Sequence, residues 1–325
     1  MNILEKLQTL IILAAVVIGI ALGQIAAVNA YASSFILPFL LVMLYGLFLS
    51  VPLHQLKEAF KHVRFFSAST FINFVSTPVL AWAIGAIFLS DHPALWIGFI
   101  LLMVTPCTDW YLVFTGMAKG NVPLATSILP VNLVLQVLLL PVYLLIFAGS
   151  MEMISLSTLA ESLVIVFILP FGLAVLTRFI LKKRKSFIKK KLLPFFSSAQ
   201  IIFLSLAVIA MFASQGTYLL ENMEVMYILL LPILLFFVIN FGVGKLVAQW
   251  INMSYEDSVS LRFTITARNS PVALAIVITA FPDQPLIALA LVIGPLIELP
   301  VLAFIAQILL RSRKKNEKKA YAPKS

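Results

Sequence analysis

The chain has 325 residues, 62% of them apolar and only 11% charged, with a formal net charge of +10. Soluble domains are roughly a quarter charged and roughly half apolar, so a single water-soluble core is excluded and a polytopic membrane protein is expected. A lone cysteine excludes an internal disulfide and a cysteine-built metal cage, and His54, His62 and His92 all lie in loop-like sequence, so neither a metal nor a cofactor is expected.

A helix needs about 20 mostly apolar residues to span a bilayer. Ten such runs follow in order: 8–28, 34–53, 66–90, 94–118, 121–148, 157–181, 195–215, 225–250, 257–281 and 284–310. Their length marks helices, because barrel strands alternate in polarity and are only about ten residues long. The first run resembles a secretory leader only superficially: it is too long, and no cleavage signal follows it. The connecting segments alternate in charge. Lys57, Lys61 and Arg64 follow the second run, eight Lys and Arg crowd into 178–191, and seven more follow from Arg311. The other connections hold Asp91, Glu152, Glu161, Glu221, Glu224 and Asp283, and no Lys or Arg. This bias sets both termini and the basic loops in the cytoplasm of a multi-pass cell-membrane protein. The basic stretches read as topology signals that touch anionic lipid. The bilayer, not a nucleic acid, is their expected partner.

The fold class expected is all-α, with ten transmembrane helices. The large basic loop divides them five and five, into 1–150 and 151–325, the second half ending in the basic tail. An odd number of spans inverts one half relative to the other. Inverted repeats are a plan of secondary transporters, with the site near the midplane where broken helices meet. Runs four and nine carry matching interruptions, "VTPCTDW" and "TITARNSPVAL". Proline removes a rung of the helical ladder, and broken backbone at membrane depth survives only inside protein or beside a wet cavity. Spans four and nine are therefore expected to be broken and to cross at the midplane.

Three ionisable residues fall near that depth: Asp109, Arg268 and Glu298. A midplane charge costs from about 2.5 to over 10 kcal/mol, so pairing or a wet cavity is expected, and depth alone pairs Asp109 with Arg268. Lys245 and Arg262 lie near helix ends and can snorkel. Cys107 and Thr108 are expected to begin a new half-helix after Pro106. Ser270-Pro271 reads as an N-cap followed by proline at the first helical position. Two helix N-termini and Arg268 make a partly positive centre, suited to an anion or a neutral oxyacid. Asp109 then either counters that field or exchanges a proton. Asn132, like Asn73, Gln136 and Asn240, supplies a polar contact or a helix-packing hydrogen bond. Cys107 is either a small apolar filler or, at a helix N-terminus, a thiolate suited to a soft centre such as trivalent arsenic or antimony. The candidate substrate-binding set is Cys107, Thr108, Asp109, Asn132, Arg268, Asn269, Ser270 and Glu298. An intramembrane enzyme needs a Ser/His pair, paired aspartates or a metal cluster at one depth. No histidine and only one aspartate fall at the midplane, so catalysis is not expected.

Several short motifs add a resemblance: "PCT" in run four, "AKGN" after it, "MFASQG" ending run seven, "ARNSPVALAI" in run nine and "GPLIELPVL" in run ten. With ten spans, they make the chain resemble the bile acid:sodium symporter superfamily, and within it the arsenical-resistance branch of arsenite permeases. The resemblance implies a core and a panel domain with alternating access, Cys107 as the metalloid contact and Glu298 as the glutamate of span ten. Sodium-coupled members carry a motif like E-x-G-x-Q-N in span nine. Aligned on Asn269, its Glu position is Thr264 and its Gln position is Arg268, while Tyr111 and Leu112 stand at the sodium-coordinating Ser-Asn of span four. That sodium site is not expected here. Arsenite permeases have a glutamate shortly after the Asn, where this chain has Ser270, Pro271, Val272 and Ala273. The expected function is secondary active transport of a small oxyanion, metalloid oxyacid or organic anion. Arsenite efflux coupled to protons is its sharpest version; the alternative is a sodium-coupled, bile-acid-like organic-anion symporter.

Overall fold

The computed structural model describes residues 3–50, 60–108, 110–147, 156–221, 224–282 and 284–320, and these are helical apart from short connections. In chain order the helices are α1 (Ile3–Gly23), α2 (Ala26–Ser50), α3 (Val63–Phe88), α4 (Pro93–Met103), α5 (Trp110–Met117) and α6 (Val122–Phe147). Then come α7 (156–180), α8 (Leu193–Glu221), α9 (Glu224–Trp250), α10 (Tyr255–Thr266), α11 (Ser270–Ala280) and α12 (Pro285–Ala320). Among the described residues, seven helices are long and apolar enough to cross a membrane: α2, α3, α6, α7, α8, α9 and α12. The protein is a multi-pass membrane protein. The runs 94–118 and 257–281 are each two helices, α4 with α5 and α10 with α11.

Proline shapes the long helices locally. In α3, Pro78 cannot donate to the carbonyl four residues back, at Phe74. The helix widens into a π turn at Ile72–Ser76, and the Tyr143 hydroxyl donates to the freed Phe74 carbonyl at 2.6 Å. The bulge thereby acquires a polar anchor within an apolar, membrane-spanning helix.

The helices sort into two groups. In the first, α8 lies along α1 and α2, and α7 packs on α2. The second gathers α3 to α6 with α9, α10 and α12. The two meet where α11 lies against α2 and the start of α7, and where α12 touches α1 and α8. Small residues set the α1–α8 contact. A Cβ on Gly19 would lie 2.7 Å from the Ile209 carbonyl oxygen, and one on Gly23 would lie 2.6 Å from that of Ala213. Glycines four apart on one face let the backbones touch, the usual route to packing where no hydrophobic force separates helix from lipid.

Candidate substrate site at two crossed helix breaks

α4 stops at Met103 because Pro106 lies ahead. Proline disfavours helical geometry at Thr105 and has no N–H of its own. Thr105 Oγ1 turns back onto the Leu101 and Leu102 carbonyls, at 3.0 Å each. α10 stops at Thr266, and Ala267 is extended, with φ −72° and ψ 143°. The two extended segments lie antiparallel. Cys107 N–H donates to the Ala267 carbonyl at 3.1 Å, and Asn269 N–H donates to the Thr105 carbonyl at 2.8 Å.

That pairing corrects two local expectations. Cys107 and Thr108 are not helical: the Cys107 N–H is committed to the second break, Thr108 lies in a bend, and α5 is described from Trp110. The cap of α11 is Asn269, not Ser270. Its Oδ1 accepts the Val272 N–H at 3.4 Å, and Pro271 sits in the first turn. Ser270 is left inside the helix, buried, with no partner for its hydroxyl among the described residues.

Arg268 sits at the centre of the crossing and is only 2% exposed. In an antiparallel pair, alternate N–H groups point to opposite sides. Those of Cys107 and Asn269 point across the pair; that of Arg268 leaves it and donates to Glu298 Oε1 at 2.7 Å. The guanidinium meets neutral oxygens. Nε donates to the Thr266 carbonyl at 3.2 Å, Nη1 to that of Met103 at 2.8 Å, and Nη2 to Asn73 Oδ1 at 3.3 Å and to the Ile265 carbonyl. Its Cζ lies over the Phe236 ring, 5.1 Å from the ring centre. Asn269 also donates from Nδ2 to Thr108 Oγ1 at 3.2 Å, tying the breaks together by side chains as well.

One face of the crossing opens into a cavity of about 250 Å³. Cys107, Thr108, Arg268, Asn269, Ser270 and Glu298 all line it, so six of the eight predicted site residues come together. The opposite wall belongs to the first helix group: Ile12 of α1, Met43 and Leu47 of α2, and Gln200, Ile201 and Leu204 of α8. Asn132 is not on this wall. It is fully buried in α6, one turn from Gln136, and neither amide has a hydrogen-bond partner among the described residues. Asp109, and with it the expected Asp109–Arg268 pair, lies outside the described residues. Sequence reasoning did not single out Gln200. A polar residue in an otherwise apolar run was its available signal.

Paired helix breaks beside a cavity of mixed polar and apolar lining, between two groups of membrane helices, fit a transporter architecture. The chain matches the Sodium Bile acid symporter family over residues 37–222, more than half its length, and belongs to that transporter family. It is 27% identical over 284 residues to the arsenical-resistance protein Acr3 of Corynebacterium glutamicum, covering 83% of this chain and 76% of that protein. It is 26% identical over 298 residues to the uncharacterized protein YbaS of Bacillus subtilis, covering 91% and 94%. It is 23% identical over 337 residues to the arsenical-resistance protein Acr3 of Alkaliphilus metalliredigens, covering 95% and 93%.

Proposed function

We propose that the protein is a secondary active transporter of the cell membrane that exports a neutral metalloid oxyacid of the arsenite type in exchange for protons. In this reading α4 with α5, and α10 with α11, are each one broken span. Ten spans result, residues 1–150 and 151–325 are inverted five-span repeats, both termini are cytoplasmic, and the crossing lies at the midplane.

The observation that carries the reading is the composition of the cavity wall. Among the described residues it combines the Cys107 thiol, the Thr108 and Ser270 hydroxyls, the Asn269 and Gln200 amides and one acid, Glu298. The guanidinium of Arg268 already donates to four oxygens of the protein. An anion moved from water to such a wall meets little uncommitted positive charge, and desolvating a charge costs far more than desolvating hydroxyls. A neutral polyhydroxy acid suits it better, and Cys107 adds a soft ligand for a thiophilic centre. The arsenical-resistance names of two relatives support the same solute class. Thr108, Asn269 and Ser270 then hydrogen-bond the solute. Glu298 is the proton partner within the cavity, and Asp109 is a second proton carrier.

The test is protection of a metalloid-sensitive, efflux-deficient host. Wild type is expected to protect against arsenite, and Cys107→Ala to lose most of that protection at equal expression. Protection that survives Cys107→Ala removes the thiol contact. An unprotected host, together with strictly sodium-dependent uptake of an organic anion into vesicles, overturns the reading in favour of an organic-anion symporter.

A further inference from the structure

The crossing has an electrostatic consequence on the side of Arg268 that faces the helix ends. In an uninterrupted helix, the Met103 carbonyl would accept from the N–H of residue 107, and the Ile265 carbonyl from that of residue 269. Here Cys107 N–H goes to Ala267 and Asn269 N–H goes to Thr105. The same pairing that joins the breaks therefore leaves the Met103 and Ile265 carbonyls without their helical donors. Both are at the C-terminal ends of helices, where the peptide dipoles concentrate negative charge. The Thr266 carbonyl and Asn73 Oδ1 complete a set of four oxygens, and the guanidinium of Arg268 is what they surround. Among the described residues, no carboxylate is paired with that guanidinium. Glu298 binds the main-chain N–H of the same residue instead.

A set of backbone carbonyls and an amide oxygen, closed by an aromatic face and backed by two helix C-termini, is an environment for a bare cation. We propose that the guanidinium of Arg268 is a tethered cation filling an oxygen cage that the two helix breaks create, and that removing it leaves a site for a free monovalent cation. The cage stabilises the crossing because it neutralises two helix C-termini at once. A neutral side chain of equal volume fills the space without neutralising them. An intrinsic cation also holds the cavity wall in place without recruiting an ion from solution. That last consequence rests on the transport reading above; the cage does not.

The experiment reads stability, so its failure and the failure of the transport reading are separate results. Purified full-length protein in lipid nanodiscs is unfolded thermally in choline, sodium, potassium or low-millimolar guanidinium salts at matched ionic strength. Three variants are compared with wild type. Arg268→Ala empties the cage, Arg268→Met keeps volume without charge, and Arg268→Lys keeps charge. Wild type and Arg268→Lys are expected to be indifferent to the cation. Arg268→Met is expected to be less stable than Arg268→Lys in every salt. Arg268→Ala is expected to be least stable in choline and to recover by roughly 5 °C or more, saturably, with a cation that fits. Arg268→Ala that is indifferent to sodium, potassium and guanidinium overturns the proposal. So does Arg268→Met as stable as Arg268→Lys. Should Arg268→Ala yield no folded protein in any salt, the Lys and Met comparison decides alone.

Discussion

Glu298 holds the main chain of Arg268, at 2.7 Å, while the Arg268 side chain serves the helix ends. One residue thus joins the cavity, α12 and both breaks. Glu298→Gln keeps an oxygen acceptor for that N–H, and Glu298→Ala removes it. A hydrogen bond to a charged group contributes about 1.5–3 kcal/mol net, and a neutral one about 1 kcal/mol. Thermal unfolding is therefore expected to rank wild type above Gln, and Gln above Ala. The Gln variant also separates structure from coupling. In everted vesicles an acid lumen is expected to drive substrate uptake by wild type. Glu298→Gln is expected to bind substrate yet lose that stimulation; retained stimulation removes Glu298 from the proton path.

Asn269 carries two connections, its cap on Val272 and its bond to Thr108. Asn269→Ala removes both. Loss of an N-cap costs about 1 kcal/mol, and the lost cross-break bond adds to it. Asn269→Asp restores the cap acceptor but not the amide donor to Thr108. Its expected unfolding temperature lies between wild type and Ala. Equal stability of Asp and Ala would show that the cap contributes nothing here.

The long apolar helices were legible because run length is dictated by the bilayer itself. The breaks were legible because Pro106 and Pro271 act on their own neighbours. The partners inside the crossing were not. Placing Cys107 outside a helix requires the second break, 160 residues away, whose Ala267 carbonyl takes its N–H. Among the described residues, the partners of the Arg268 guanidinium are Asn73 Oδ1 and the carbonyls of Met103, Ile265 and Thr266, and carbonyls carry no sequence signal because every residue has one. Gln200 and the apolar residues of α1 and α2 come to the cavity from a different helix group, so local pattern could not place them.

Gly19 and Gly23 give a test of the group that faces the cavity. Any side chain at either position meets the α8 backbone within 3 Å, and backbone cannot yield as a flexible side chain can. Gly19→Leu and Gly23→Val are expected to separate α1 from α8 and to lower folded yield severely. Overpacking of this kind costs about 1–3 kcal/mol or more. Surface-exposed Val17→Leu on α1 is the matched control and is expected to express like wild type. Normal yield of both glycine variants would refute close α1–α8 packing.

Asn132 and Gln136 make the opposite prediction. Both are fully buried in α6 with amides that have no partner among the described residues, and neither lines the cavity. A buried amide without partners costs about 1–3 kcal/mol, whereas a leucine in a transmembrane helix is favourable. Asn132→Leu is expected to raise the unfolding temperature and to leave substrate affinity within about twofold, a change smaller than 1 kcal/mol. Loss of transport in a stably folded Asn132→Leu would mean that the pair acts in the transport cycle away from the cavity. Such a loss would return Asn132 to the functional set for a reason other than contact with the bound solute.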